Sequence, residues 1–221
     1  LVTNPFDRDV YSRRLLIDGL SRIPVVRLSG PELAELQVLA NDNGDAVCDA
    51  LLRERRSRLV CQGYWQHARY ADAVKAELAD DLRSHGARHR VMDAAGECIV
   101  HVRRHDYGHL GLLPLAYYRA ALECCGWPRF RVVTDEPNFC EYAFARFQGY
   151  SGVVRGDALA PWGDFFLLAN HRIQIIANSS FSWWSAWLGR ATQSTTTVIA
   201  PSAWSLLKKM DPCPADWHRI D

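Results

Sequence analysis

Residues 98–107, CIVHVRRHDY, decide the fold. Cys98–Val102 is a short run of β-type composition, and it ends abruptly in two arginines, a histidine, an aspartate and a tyrosine. A strand that stops in this way has a buried body and a polar mouth. Side chains alternate along a strand, so His101 and Arg103 point to one face and Arg104 to the other. Downstream the same grammar repeats. Leu115–Cys125 reads as a helix with Leu115, Tyr118, Leu122 and Cys125 on one face, and Phe130–Val133 as a strand. Asn138–Phe147 is helical and Gly152–Val154 a short strand. Asp164–His171 is helical, Ile173–Ala177 a buried strand, Phe181–Arg190 a helix and Thr197–Ala200 a strand. Strands alternating with helices of this length predict an α/β fold, a parallel sheet with helices on both faces, over residues 95–221.

Ligands of such sheets sit beyond the carboxyl ends of the strands. The residues predicted there are Arg103–Tyr107, Thr134–Asp135 and Asn178–Ser182, a polar and partly cationic set. A guanidinium offers a planar fork of donors that matches phosphate oxygens in pairs. Arg103 is therefore the expected phosphate ligand and Arg104 at least partly structural. The same residues also read as a surface arginine pair with Asp106 as counter-ion. Asn178, Ser179 and Ser180 precede a tryptophan-rich helix. They suit an N-cap, and the free amides and dipole of a helix start favour an anion. Ser179, Ser180 and Ser182 add hydroxyls. Trp183, Trp184 and Trp187 read mainly as core. Asp164, at a helix start, can complement the dipole or accept the N1–H and amino group of guanine. Thr134 and Asp135 suit a ribose or guanine contact, or a plain turn.

Upstream the signal is weaker. Ile23–Leu28 reads as a strand, and Pro31–Leu39 and Ala46–Glu54 as helices. Tyr70, Val74, Leu78 and Leu82 form an apolar stripe on one helix from Trp65 to Leu82. Ser84–Arg90 reads as a linker or exposed turn. Residues 1–94 are thus expected to form a separate, partial N-terminal lobe.

The bulk numbers bound the function. The chain has 221 residues, 48% hydrophobic and 23% charged, with a formal net charge of +1. That balance gives no overall field for nucleic acid or an anionic membrane, so any anion site is local. Lysine is scarce (Lys75, Lys208 and Lys209), so arginine supplies nearly all of the 26 basic residues. A GC-rich coding sequence produces that excess, and arginine also suits phosphate. The seven cysteines show no CxxC and no zinc-ligand spacing, and read as reduced core thiols of a cytoplasmic protein. There is no apolar run of membrane-spanning length and no signal peptide in these residues. GxSxG, Walker and HExxH motifs are absent.

HVRRHDY resembles the HxRRxD motif of fucosyltransferases, and IIANSSFSWWSAWLG (175–189) resembles the signature of the galactoside α-1,2-fucosyltransferase family. GYWQHARY (63–70), LAYYRAAL (115–122), VVTDEP (132–137), GDFFLLANHR (163–172), VIAPSAW (198–204) and WHRI (217–220) follow the family in order. Together they cover the chain from Leu59 onward, with a weaker likeness at Tyr11–Leu20. The resemblance implies a GT-B-like fold of two Rossmann-like lobes, here a donor lobe preceded by a truncated N-terminal, acceptor-side lobe. It implies inverting transfer of L-fucose from GDP-β-L-fucose to the 2-hydroxyl of a galactose-containing glycan, with no metal and no other cofactor. A lipid-linked acceptor would bring the protein to the inner face of a membrane. Carried over by residue, Arg103 binds the pyrophosphate, His101 sits near the nucleotide, Asp164 reads guanine, and Ser179, Ser180, Phe181 and Ser182 line the phosphate site. Asp106 is the candidate base. The sequence departs from the family in carrying His105 where glycine is usual and in lacking the glycine-rich Gly-Asn-Gln loop of the first lobe. The latter raises the alternative of a non-catalytic GDP-sugar-binding module, and the former that of another GDP-sugar donor.

Overall fold

The computed structural model describes residues 31, 37–40, 59–62, 68–72, 75–86, 98–155, 161–193, 196–205 and 211–221. The chain divides into two compact units, Leu1–Gln66 and His67–Asp221. In the first, β1 (Gln37–Ala40) pairs in parallel with β2 (Leu59–Gln62). Gln37–Leu39, expected at the end of a helix, are therefore strand. Pairing with a segment far along the chain overrides a local helical pattern, and no short window of sequence shows the partner. The strand expected at 23–28 and the helix at 46–54 lie outside the described residues.

The second unit begins with α1 (Ala68–Asp72) and α2 (Lys75–Gly86). The helix expected from Trp65 to Leu82 is described over Ala68–Asp72 and Lys75–Gly86, and the latter runs into the stretch expected to be a turn. Ala79 and Leu82 are buried, and α2 packs against the last helix of the unit.

The sheet follows. β3 (Cys98–Val102), β4 (Phe130–Thr134), β5 (Tyr150–Val154), β6 (Ile173–Ile175), β7 (Thr197–Pro201) and β8 (His218–Ile220) form six parallel strands in the order β5-β4-β3-β6-β7-β8. The chain builds outward to β5, returns to the middle, and builds outward to β8. This is a Rossmann-like sheet, and its order reverses between β3 and β6. Among the described residues four helices lie between these strands: α3 (Leu115–Cys124), α4 (Pro137–Phe144), α5 (Trp162–Ala169) and α6 (Ser180–Thr192). β8 has no counterpart among the expected strands: its three residues, HRI, one exposed and two half-buried, carry no β pattern of their own.

Alternation along β3 sorts the core into two layers. Cys98, Val100 and Val102 pack with Tyr117, Tyr118 and Leu122 of α3 and Cys140 and Phe144 of α4. Ile99 packs on the opposite face with Val133 and with Leu167 and Leu168 of α5, against Phe181 of α6. All five β3 residues are buried, as a central strand covered on both faces requires. Each fully buried Leu, Ile or Phe here contributes about 1.5–3 kcal/mol.

Hydrogen bonds fix the ends of these elements. α3 closes with the Gly126 amide on Glu123 O and the Trp127 amide on Leu122 O, the paired bonds of a Schellman ending, with Gly126 at φ 74°. The buried Tyr117 hydroxyl donates to Ile176 O at 2.7 Å and lies 3.3 Å from Ile199 O. It thereby clamps the carboxyl ends of β6 and β7.

Candidate functional site

Strand order reverses between β3 and β6, and the loops leaving the carboxyl ends of such neighbours diverge, which is where sheets of this kind form their ligand crevice. Arg103 leaves β3 at this point and is held from two sides. Its Nη1 lies 3.2 Å from Asp135 Oδ2, and its Nη2 donates to Asp106 Oδ2 at 2.8 Å. Asp106 Oδ1 is also 2.7 Å from Nη2, without hydrogen-bond geometry. The Tyr107 ring lies beside the guanidinium, 5.3 Å from centroid to Cζ. Arg103 Nε is buried and has no hydrogen-bond partner.

Asp135, just past the end of β4, is the anchor of the loop. Its Oδ1 accepts the Arg104 amide at 3.0 Å and its Oδ2 the His105 amide at 3.2 Å. Thr134 completes the turn, its Oγ1 accepting the Glu136 amide at 3.0 Å and the Cys140 thiol at 3.5 Å. Arg104 points to the other face, where its Cζ sits 3.7 Å from the Phe139 ring centroid. That stacking on α4 is a packing role. His105 is exposed, 3.5 Å from Glu136 Oε1.

The other side of the crevice is the start of α6. Ser179 precedes its first residue in extended conformation and gives no side-chain cap bond. Trp183 N donates to Ser179 O. The first-turn amides of Ser180, Phe181 and Ser182 therefore have no intrahelical acceptor. Ser182 Oγ turns inward to Ala177 O and Ser179 O, whereas Ser180 is exposed. Asn178 is buried. Its Nδ2 donates to Gly111 O at 3.0 Å, tying the loop after Arg103 to the end of β6, and its Oδ1 has no partner. Asp164 lies in the first turn of α5, which leads into β6 and so starts at the same edge of the sheet. Phe165 of α5 meets Phe181 of α6, ring centroids 5.7 Å apart.

His101 lies between these parts. It is buried, its ring is 5.8 Å from Phe181, and its Nδ1 has no hydrogen-bond partner. Burial, with the Arg103 charge adding to it, pushes the imidazole down from 6.5 to about 3. The folded protein therefore holds His101 neutral near neutral pH. The unfolded chain takes up this proton below about pH 6.5 and the folded chain does not until about 3, so stability falls as pH drops through that window. The wild type is expected to lose about 1–2 kcal/mol more than His101→Gln between pH 7 and 5. Urea midpoints at the two pH values measure this, and equal losses would remove His101 as the cause.

The structure thus joins Arg103, Asp106 and Asp135 directly, joins Arg104 to Asp135 through the backbone, and joins His101 to Phe181. Asn178, Ser179, Ser182 and Asp164 reach the same edge by topology. Of the tryptophans of α6, Trp183 and Trp187 are buried and Trp184 is exposed. Sequence reading passed over Phe139 and Gly111, because their importance comes from contacts across the fold that leave no local pattern. Among the described residues no group of His, Cys, Asp and Glu could hold a metal ion, and no helix is long and apolar enough to cross a membrane.

No protein-family model matches the chain. The chain is similar to an alpha-1,2-colitosyltransferase of Escherichia coli, 31% identical over 180 residues, or 72% of this chain and 61% of that protein. It is also similar to WbnK, an O-antigen biosynthesis glycosyltransferase of Escherichia coli, 31% identical over 138 residues, or 58% of this chain and 44% of that protein. The chain therefore spans less than two thirds of the length of either relative.

Proposed function

We propose that this chain carries the donor-binding lobe of a glycosyltransferase of GT-B-like, two-lobed architecture, working in bacterial surface-glycan assembly. The reaction is inverting transfer of L-fucose from GDP-β-L-fucose to the 2-hydroxyl of a galactoside. The observation that carries this reading is the convergence at one sheet edge of a half-buried arginine, an uncapped helix start and the unpartnered polar atoms of His101, Arg103 and Asn178. Buried polar groups are normally paired, so a cluster of unpaired ones at a strand-order reversal is what a polar ligand completes. The names of the two relatives support glycosyl transfer, and one of them supports an α-1,2 linkage.

In the proposed step the acceptor hydroxyl attacks the anomeric carbon from the face opposite GDP, and the bond from that carbon to the β-phosphate oxygen breaks. The electron pair leaves with GDP. Arg103 and the amides at the start of α6 stabilise that charge as it forms. Asp106 takes the hydroxyl proton. His101 contacts the nucleotide as a neutral imidazole, and Asp164 reads the guanine edge. Charge stabilisation of this kind needs no metal ion.

A second donor is favoured by the colitosyltransferase likeness. Colitose is L-fucose without the 3-hydroxyl, so the two donors share the anomeric chemistry. A transfer assay with GDP-fucose and GDP-colitose on a galactoside, with and without EDTA, separates the readings. An α-1,2-linked product formed equally well in EDTA is expected, and the preferred donor identifies the sugar. A β-linked product or a strict metal requirement would sink the mechanism.

A further inference from the structure

We infer that Asp106 occupies the place of the donor phosphate on Arg103 in the free protein and is displaced when the donor binds. The inference rests on the donor-site reading above and deepens it.

The two carboxylates on Arg103 are not equivalent. Asp135 accepts two backbone amides of the loop besides its contact with Nη1, and its side chain is 13% exposed. Removing it from Arg103 would leave the loop still pinned to it. Asp106 has Arg103 as its sole partner among the described residues, and its side chain is 29% exposed. Its Oδ1 lies against Nη2 without a hydrogen bond. It is the looser of the two.

The covalent geometry of arginine says what this arrangement withholds. Nε–H and the adjacent Nη2–H form one of the two parallel forks that a phosphate or carboxylate can take. Asp135 sits on Nη1, outside that fork. Asp106 takes only Nη2, and Nε is left without an acceptor. The fork is thus half-filled by a carboxylate from its own loop, three residues on. A phosphate oxygen pair can fill both positions, and does so only when Asp106 moves off. Asp135 meanwhile keeps the guanidinium in place. Displacement leaves the Asp106 carboxylate without a counter-charge beside the reacting atoms, where it can accept the proton of the acceptor hydroxyl. Donor binding and exposure of the base become one event.

The two carboxylates therefore predict opposite signs. Asp106→Asn removes a competing anion, and GDP measured by calorimetry on the full 221-residue chain should bind about two- to fivefold tighter, the worth of a part-exposed ion pair. Asp106→Ala, which deletes the group, should tighten binding in the same direction. Asp135→Asn removes the brace and should weaken GDP binding about tenfold or more. Transfer should fall in Asp106→Asn even as GDP affinity rises, a split that a merely structural role does not produce. Unchanged or weaker GDP binding in both Asp106 variants overturns the exchange. If the wild type binds no GDP, the donor-site reading itself fails and the exchange fails with it.

Discussion

Replacing Arg103 with alanine is expected to reduce transfer by about three orders of magnitude or more while leaving the sheet folded. The size follows from where the charge develops. A positioned donor aimed at a forming oxyanion is worth about 10²–10³ in rate, and an arginine on a transferring phosphoryl group about 10³–10⁵. The fold should survive, because all five residues of β3 are buried by packing that does not involve the guanidinium, and Asp135 keeps its two backbone bonds to the loop. Arg103→Lys restores a charge but not the fork, and should recover only a small part of the lost rate. Circular dichroism and a transfer assay on the same samples decide the matter. A folded alanine variant with a near-normal rate would falsify the assignment.

The largest effect on stability is expected from a position far from the crevice. Gly149 has φ 82° and sits at the turn into β5, where its carbonyl accepts the Phe130 amide. A Cβ built there would stand 2.3 Å from Pro128 O and 3.0 Å from Pro128 C. Both obstacles are backbone and cannot rotate away. Left-handed strain costs about 1–2 kcal/mol and forced overpacking about 1–3 kcal/mol, so Gly149→Ala should cost about 2–4 kcal/mol. Gly126→Ala isolates the first contribution. That glycine has φ 74° and nothing within 4 Å of a built Cβ, and its loss should cost about 1 kcal/mol. Denaturant midpoints should place the two variants in that order, and equal costs would show that the clash at Pro128 relaxes.

Much of this architecture is legible in the sequence from Cys98 onward. β3 was expected at its observed limits, and the other strands and helices up to β7 lie within a few residues of theirs. The reason is physical: a parallel sheet buried on both faces favours runs rich in β-branched and aromatic residues, and Phe130–Val133 and Ile173–Ala177 are such runs, each interrupted by one polar residue, Arg131 and Gln174. β8 escaped notice because its three residues, His218–Ile220, owe their conformation to pairing with Ile199–Pro201 and not to composition. The same holds for Gln37–Ala40, a strand because Leu59–Gln62 lies beside it. At the crevice, a periodic reading could say that Arg103 and Arg104 diverge. It could not say that Arg104 ends on Phe139 or that Asp135 gathers two loop amides. Those contacts depend on strand order, and one-dimensional alternation does not contain the order.

Strand order has one more consequence. Cys98 is flanked by Phe130 on one side and Ile173 on the other, and every pairing in the six-stranded sheet is parallel. Parallel neighbours cannot be joined by a tight hairpin, so each depends on a crossover and on residues far along the chain. A fragment ending before Ile173 would keep Arg103, Asp106 and Asp135 together and still possess only one wall of the crevice. A fragment beginning after Asp135 would keep the uncapped start of α6 and no arginine to face it. The proposed donor site is therefore indivisible, and so is the core beneath it: Ile99 and Val133 of one half pack with Leu167 and Leu168 of the other, and the place between the halves belongs to neither.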